Sequence, residues 1–213
     1  MNTAIKHVWF DFSQTIAIEN KQIHDKIKYE TYASVVGRLV DDALKAEYET
    51  LYREKLSNSG VFTSLGLDSS FWSNHYSAID PKALLRLVEP TIPEVLSKLR
   101  ERVPISMWSN IHAEKILPAL GIDSTWFTFF LSPDEVKNPK PALDGFKLLM
   151  EKSNLPAGNI LFVGDSVEKE MIPAKSLGIQ TCLMWKTAPE PDFCFESFNQ
   201  LLELVRDDRP GSR

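Results

Sequence analysis

The sequence contains little cysteine. Only two cysteines occur among its 213 residues, at Cys182 and Cys194. Both lie in apolar surroundings, with neither a CxxC pair nor the Cys and His spacing of a zinc site. We therefore predict no disulfide framework and no structural zinc. The two thiols are expected to be small buried hydrophobic groups in a reducing compartment.

Long apolar runs and basic clusters are missing as well. The longest apolar stretches, such as residues 160–163, are far shorter than the roughly 18 residues of a membrane span. The early run at residues 8–10 ends at Asp11, too soon for a signal peptide. Lysine and arginine total 24 against 29 aspartate and glutamate, a formal net charge of −5. We predict a cytoplasmic protein that binds neither membrane nor nucleic acid.

Short apolar runs alternate with segments of helical period. Runs at residues 7–12, 103–108, 160–163 and 179–185 predict buried strands, with a fifth at 126–131. Apolar stripes at residues 92–99, 113–120, 142–150 and 167–174 predict helices, and Gly121 and Gly178 are placed to end two of these in left-handed caps. The pattern predicts an α/β fold, a Rossmann-like parallel sheet with helices on both faces.

Residues 16–90 differ from the rest of the chain. They are rich in Glu, Lys, Tyr and Ala, with helical apolar spacing, no convincing strand and a predicted turn at residues 57–60. We predict an inserted helical cap at 16–90 within a core formed by residues 1–15 and 91–213. Because the insertion follows the first strand, it should cover the sheet edge where open α/β folds bind ligands. The tail at 207–213 is predicted to be disordered.

Polar clusters stand where the predicted strands and helices meet. They contain Asp11, Ser109 with Asn110, Lys140, and Asp165 with Glu170. These chain positions converge in a doubly wound sheet. Clustered carboxylates are costly unless a divalent cation neutralises them, and Mg²⁺ prefers such oxygens together with water and phosphate. A lysine and helix N-terminal amides suit a phosphate group. Asp11 would be the nucleophile that forms an acyl phosphate.

In these clusters the chain resembles the haloacid dehalogenase-like (HAD) hydrolases. The run DFSQT at residues 11–15 is similar to the first family motif, DxDxT. Ser109 matches the second motif, Lys140 and the following proline the third, and GDS at 164–166 with Glu170 the fourth. The resemblance covers the whole chain and implies the helical-cap class, with a small phosphorylated molecule as substrate and Mg²⁺ as cofactor.

The resemblance also implies a role for each site residue. Asp11 would be the nucleophile, Ser109 would hydrogen-bond the phosphoryl oxygen, and Lys140 would balance the charge of nucleophile and phosphate. Asn110 and Ser13 are candidate substrate-binding residues. Oligomeric state is left open between monomer and homodimer.

The same resemblance implies the metal ligands. Mg²⁺ would be held by the carboxylates of Asp11 and Asp165 and by the main-chain carbonyl of Ser13. Glu170 is a further candidate ligand, which keeps the charge of the aspartate that is usual there with one more methylene. Gln14 replaces the usual glycine of the first-motif turn.

Ser13 is the main departure from the family pattern. Phosphatases of the family carry a second aspartate there, which protonates the leaving group and then activates water. A hydroxyl group cannot replace it, and losing a positioned general acid and base typically costs about 10² to 10⁴ in rate. Three cap residues are candidates for a substitute acid, namely His24, Asp25 and His75.

Three classes of function follow. The favoured one is a Mg²⁺-dependent phosphatase or phosphotransferase of low or narrow activity. The second is a haloacid dehalogenase or a phosphonate-cleaving enzyme. A dehalogenase needs no metal, so Asp165 disfavours it, and a phosphonate-cleaving enzyme would need a cap lysine such as Lys21, Lys26 or Lys28. The third is a catalytically silent phosphate-binding module.

Overall fold

The computed structural model describes residues 4–205. Within this range the strands are β1 His7–Phe10, β2 Ala17–Glu19, β3 Leu85–Leu87, β4 Ile105–Trp108, β5 Phe127–Leu131, β6 Ile160–Gly164, β7 Gln180–Met184 and β8 Phe193–Phe195. The α-helices are α1 Lys21–Val36, α2 Asp42–Lys55, α3 Asn58–Ser64, α4 Phe71–Ser77, α5 Pro81–Leu84, α6 Ile92–Leu99, α7 Leu143–Ser153, α8 Ile172–Ser176 and α9 Gln200–Leu204. Short 3₁₀ turns and one π-turn, Val167–Met171, complete the fold.

Six strands form one sheet in the order β5-β4-β1-β6-β7-β8. Every neighbouring pair in it is parallel, which confirms the predicted α/β class. From β1 the chain builds outward through β4 and β5, then crosses to β6 on the other side of β1. The strand order therefore reverses at β1, and a crevice opens there at the carboxyl ends of the strands.

Residue alternation along β1 explains why helices cover both faces. Val8 and Phe10 join one apolar cluster together with residues of α6 and α9. Trp9, between them, joins a second cluster with residues of α7 and α8. Both faces of β1, β4, β6 and β7 are covered in this way, so these strands are buried along their whole length. Near-continuous apolar sequences are the expected result.

Helices α1 to α5 form a separate layer over the carboxyl edge of β1. Its interior is aromatic, with Phe62 stacked on Trp72 at a centroid distance of 5.6 Å. Hydrogen bonds join this layer to the sheet below. Ser59 Oγ donates to the Asn110 carbonyl at 3.0 Å, and the His112 amide donates to Ser73 Oγ at 2.9 Å. These two hydrogen bonds hold the helical segment against the loop that follows β4.

The prediction that residues 16–90 contain no strand was wrong. β2 and β3 pair antiparallel at the two ends of the helical segment, with Ala17 opposite Leu87 and Glu19 opposite Leu85. Each strand is three residues long, too short for alternation to show in the sequence. The pair holds the entry and exit of the segment side by side. The edge strand β8 was also not predicted.

Two other local predictions need correction. The stripe at residues 113–120 forms two 3₁₀ turns, Ala113–Lys115 and Leu117–Leu120, instead of one helix. Pro118 explains this, because proline disfavours the α conformation of the residue before it and has no N–H to donate. The predicted turn at residues 57–60 is a helix start, where Ser57 Oγ accepts the Gly60 amide at 2.9 Å.

The two predicted left-handed glycine caps are confirmed. Gly121 and Gly178 are left-handed, with φ of 75° and 81°. Both cysteines are free; Cys182 is buried and Cys194 is half-buried. None of the helices in residues 4–205 is long and apolar enough to cross a membrane. The tail at 207–213 lies outside the described residues.

Gly145 allows α7 to lie directly on the sheet. A Cβ atom at this position would lie 2.1 Å from the indole ring of Trp108, which is fixed by an edge-on contact with Phe146 at 4.5 Å. Gly145→Ala should therefore destabilise the protein by about 1–3 kcal/mol, although alanine favours helix. Urea unfolding measures the effect. Lys147→Ala, on the exposed face of α7, is the control and should change stability by less than about 0.5 kcal/mol; equal effects would contradict the packing argument.

Candidate active site

Asp11 directly follows β1 and is buried. Its amide donates to the Val163 carbonyl at 2.9 Å, which extends the pairing of β1 with β6 by one residue. The chain then turns sharply, and the Ile16 amide donates to the Phe12 carbonyl at 2.8 Å. This turn brings Thr15 back to the carboxylate, where its hydroxyl donates to Asp11 Oδ2 at 3.2 Å.

The side chain of Lys140 crosses the interior of the site and is only 1% exposed. Its ammonium donates to Asp11 Oδ1, to Glu170 Oε1 at 2.7 Å and to the Trp108 carbonyl at 3.1 Å. An ammonium group has three protons, so all of its donors are used. Lys140 thereby joins the ends of β1 and β4 to the segment after β6.

Glu170 is fully buried, and both of its carboxylate oxygens are engaged. Oε1 accepts from Lys140, and Oε2 accepts the amides of Asp165 and Ser166 at 3.1 and 3.2 Å. Gly164 makes this possible, because a Cβ atom there would lie 2.2 Å from Glu170 Oε2. The sequence predicts this motif but not the role of its glycine, because residue spacing carries no signal for so close a contact.

Of the three carboxylates, that of Asp165 has a buried oxygen that accepts no hydrogen bond from the described residues. Among the described residues, no donor lies within hydrogen-bonding distance of Asp165 Oδ1, although the atom is buried. Oxygens of Asp11, Asp165 and Glu170 lie within 4.8 Å of one another. An orphaned carboxylate oxygen beside a second carboxylate is the donor set that Mg²⁺ prefers. The residues therefore fit a divalent cation between Asp11 and Asp165.

The charges of the site do not balance. Three carboxylates face two ammonium groups, those of Lys140 and Lys169. Burial opposes ionisation of Asp11, but Lys140 and Lys169 more than offset it and lower its pKa. Burial raises the pKa of Asp165, and burial together with the Asp11 carboxylate raises the pKa of Glu170 to about 7. The raised pKa values show that negative charge on Asp165 and Glu170 is unfavourable here, and a bound cation would relieve that cost.

The remaining predicted residues surround a cavity of about 480 Å³. Ser109, Asn110 and Ser13 line it together with Asp11, Lys140 and Asp165. Ser109 is buried at the end of β4. The Oδ1 atom of Asn110 accepts the Lys140 amide at 3.2 Å, so Asn110 contacts the third motif directly.

The candidate residues of the helical segment divide into two groups. His24 lines the cavity, and its Nε2 lies 3.1 Å from Asn58 Nδ2. Burial lowers the pKa of His24. Asp25 instead pairs with Lys21 and Lys28, and neither it nor the other predicted candidates, His75, Lys21, Lys26 and Lys28, are among the described residues that line the cavity.

Lys169 and Glu19 are among the lining residues that were missed from the sequence. Lys169 lies beside Asp165, within the fourth motif, in which residues 164–166 and Glu170 were the positions singled out. Burial lowers the pKa of Lys169, but the carboxylates of Glu170, Asp11 and Asp165 more than offset this, so the pKa is raised. Glu19, in β2, accepts from Tyr76 at 3.2 Å and from Gln14 in the turn after Asp11.

A family model for haloacid dehalogenase-like hydrolases matches residues 5–178. The chain is a haloacid dehalogenase-like hydrolase. It is 28% identical over 199 residues to the glyceraldehyde 3-phosphate phosphatase of Methanocaldococcus jannaschii, a similarity that covers 92% of this chain and 79% of that protein. A shorter similarity of 33% over 89 residues, 42% of this chain and 36% of the relative, links it to the 5-amino-6-(5-phospho-D-ribitylamino)uracil phosphatase YigB of Escherichia coli.

The fold of this HAD-like hydrolase is also found in solved structures. An HAD phosphatase from Thermococcus onnurineus superimposes with a TM-score of 0.73 at 20% identity. The superposition covers 96% of this chain and 100% of that structure. This likeness shows the fold alone, because one fold can support many different reactions.

Gly164 gives a direct test of the site geometry in this HAD-like hydrolase. Gly164→Ala should cost about 1–3 kcal/mol of stability, because the new methyl group collides with the Glu170 carboxylate. In a Glu170→Ala background the collision is absent, so the same change should cost much less. Urea unfolding of the four proteins completes the cycle. An equal cost in both backgrounds would show that Glu170 does not lie against Gly164.

Proposed function

We propose that this HAD-like hydrolase is a cytoplasmic, Mg²⁺-dependent phosphatase or phosphotransferase of small phosphorylated metabolites, acting through phospho-Asp11. One observation carries the proposal. The buried carboxylate of Asp11 accepts a hydrogen bond from the buried ammonium of Lys140. Both residues line a cavity of about 480 Å³ together with Asp165, whose buried Oδ1 accepts no hydrogen bond from the described residues. Similarity to a glyceraldehyde 3-phosphate phosphatase supports a phosphoric ester as the substrate class.

In the proposed reaction, a carboxylate oxygen of Asp11 attacks phosphorus while the bond from phosphorus to the leaving oxygen breaks. Lys140 fixes the carboxylate and offsets part of the charge that gathers on the phosphoryl group. Ser109, on the same cavity wall, donates its hydroxyl to a phosphoryl oxygen. Water then attacks the acyl phosphate, which releases phosphate and restores the carboxylate.

We assign the metal ligands to Asp11, Asp165 and the main-chain carbonyl of Ser13. Bound Mg²⁺ would supply charge neutralisation and orientation of the phosphate. We propose that Glu170 positions its neighbours and is not the metal ligand expected from the sequence. Its oxygens already accept hydrogen bonds from Lys140 and from two backbone amides. It aligns the lysine and the backbone that presents Asp165.

We further propose that residues 16–90 act as a cap that selects the substrate, over a core of 1–15 and 91–213. The helical segment contributes Glu19, His24, Asn58, Trp72 and Tyr76 to the cavity. A mixed wall of polar and aromatic groups suits the hydroxylated part of a small metabolite. Asn110 and Ser13 would contact the substrate from the core side.

Ser13 favours a second candidate, a phosphate-binding protein with little turnover. The leaving oxygen needs a proton unless it is a stable anion, and a serine hydroxyl does not supply one at neutral pH. Turnover should therefore be confined to acyl or aryl phosphates or to substrates that bring their own acid. The two candidates differ in whether Asp11 becomes phosphorylated.

Asp11→Asn decides between them. We expect wild-type protein to hydrolyse acetyl phosphate only with Mg²⁺ and to show a phosphorylated form by intact mass spectrometry after rapid quenching. The substituted amide lacks the nucleophilic oxygen anion, so turnover and phosphorylation should fall to background. Asp25→Asn, in the helical segment and away from the cavity, is the control and should retain both. Absence of any phosphorylated wild-type protein would favour the binding module.

Ser13→Asp tests the missing general acid. Restoring a carboxyl group should raise kcat about 10²- to 10⁴-fold on alkyl phosphates, whose leaving groups need a proton, and much less on aryl phosphates. Steady-state kinetics on both substrate types measures the difference. Ser13→Asn is the control, because its amide fills the same space as the aspartate but is no general acid, and it should bring no such gain. An inert Ser13→Asp variant that still binds Mg²⁺ would contradict this account of Ser13.

A further inference from the structure

Lys169 is held in the site by charge, without hydrogen bonds from its ammonium to the carboxylates. Its side chain is 16% exposed, and Nζ lies 3.8 Å from Asp165 Oδ1 and 3.9 Å from Glu170 Oε1. Both distances exceed the normal range for an N–H···O hydrogen bond. The backbone amide of Lys169 donates to Ser166 Oγ at 3.2 Å, which fixes the start of the π-turn that carries the side chain.

The oxygen that Lys169 approaches is the one suited to a cation. Asp165 Oδ1 is buried and accepts no hydrogen bond from the described residues, so the ammonium compensates its charge from a distance. A divalent cation bound between Asp11 and Asp165 would be close to that ammonium, and like charges in a poorly solvated site repel strongly. The two cations therefore compete for one carboxylate.

Lys140 does not take part in this competition. Its three protons are used by Asp11, Glu170 and the Trp108 carbonyl, which fixes its position. Lys169 has no such bonds to these carboxylates and lines the open cavity, so its side chain is free to move toward the cavity when Asp165 binds another cation.

We propose that Lys169 is a tethered counter-ion, which stabilises the site without metal and which a divalent cation displaces from Asp165. This inference depends on the proposed metal site, since it concerns the same carboxylate. With Lys169 present, the affinity of the site for the metal is lower than it would be if Lys140 were the one lysine beside the three carboxylates. Lys169 also brings a positive charge into the cavity where a phosphate group would bind.

Isothermal titration calorimetry of the full-length protein with Mn²⁺ and Mg²⁺ tests the competition. Lys169→Gln should bind the metal at least ten-fold more tightly than wild type, whereas Lys169→Arg, which keeps the charge, should remain weak. Lys147→Gln removes one positive charge from the exposed face of α7 and should match wild type, which controls for net charge.

The outcomes separate this inference from the proposed function. If wild type binds metal and Lys169→Gln binds it equally well, the counter-ion role is excluded while the metal site stands. If neither protein binds metal and Asp165→Asn changes nothing, the metal site itself fails, and both proposals are overturned.

A measurement on wild-type protein covers the case in which Lys169→Gln does not fold. Reductive methylation followed by peptide mass spectrometry reports the accessibility of each lysine. We expect saturating Mg²⁺ to raise labelling of Lys169 several-fold, as its ammonium leaves Asp165, while Lys140 stays protected. Unchanged labelling of Lys169 at a metal concentration that calorimetry shows to be saturating would overturn the displacement.

Discussion

The buried ammonium of Lys140 is the interaction on which the rest of the site depends. It joins a carboxylate after β1, a carbonyl at the end of β4 and a carboxylate after β6, and these are adjacent strands of the sheet. Removing such a group would leave two buried carboxylates without the cation that is hydrogen-bonded to both, which is strongly destabilising. Lys140 therefore joins the strand ends and, together with Lys169, favours ionisation of Asp11.

Under the proposed function, charge binding and proton transfer depend on different groups of this site. The charged groups that the family resemblance implies are present, namely the lysine and the carboxylates. Gly164 leaves the space in which Glu170 reaches two amides. What is missing is a proton donor at position 13. Because the carbonyl of Ser13 belongs to the main chain, the substitution leaves the proposed metal site unchanged. Under the proposed function, binding and chemistry would therefore diverge through a single residue.

The fold and most of the site could be predicted from the sequence, because both follow from short-range patterns. Apolar runs mark the buried strands, and the parallel sheet brings Asp11, Ser109 and Asp165 to one edge. Distances across the site could not be predicted in this way. The contact of Gly164 with Glu170, and the approach of Lys169 to Asp165, depend on side-chain placement within one turn, which residue spacing does not encode. The β2–β3 pair was missed because its strands are too short.

The short ribbon of β2 and β3 has a mechanical consequence. Both connections of the helical segment pass through it, and Glu19 on it is bonded to Gln14 beside Ser13 and to Tyr76 on α4. A rigid rotation of the helices about this ribbon would pull on one carboxylate attached at both ends. Such a rotation would have to break the hydrogen bond from Tyr76 to Glu19 or shift the turn that follows Asp11. The position of α4 and the shape of that turn are therefore linked through a single side chain.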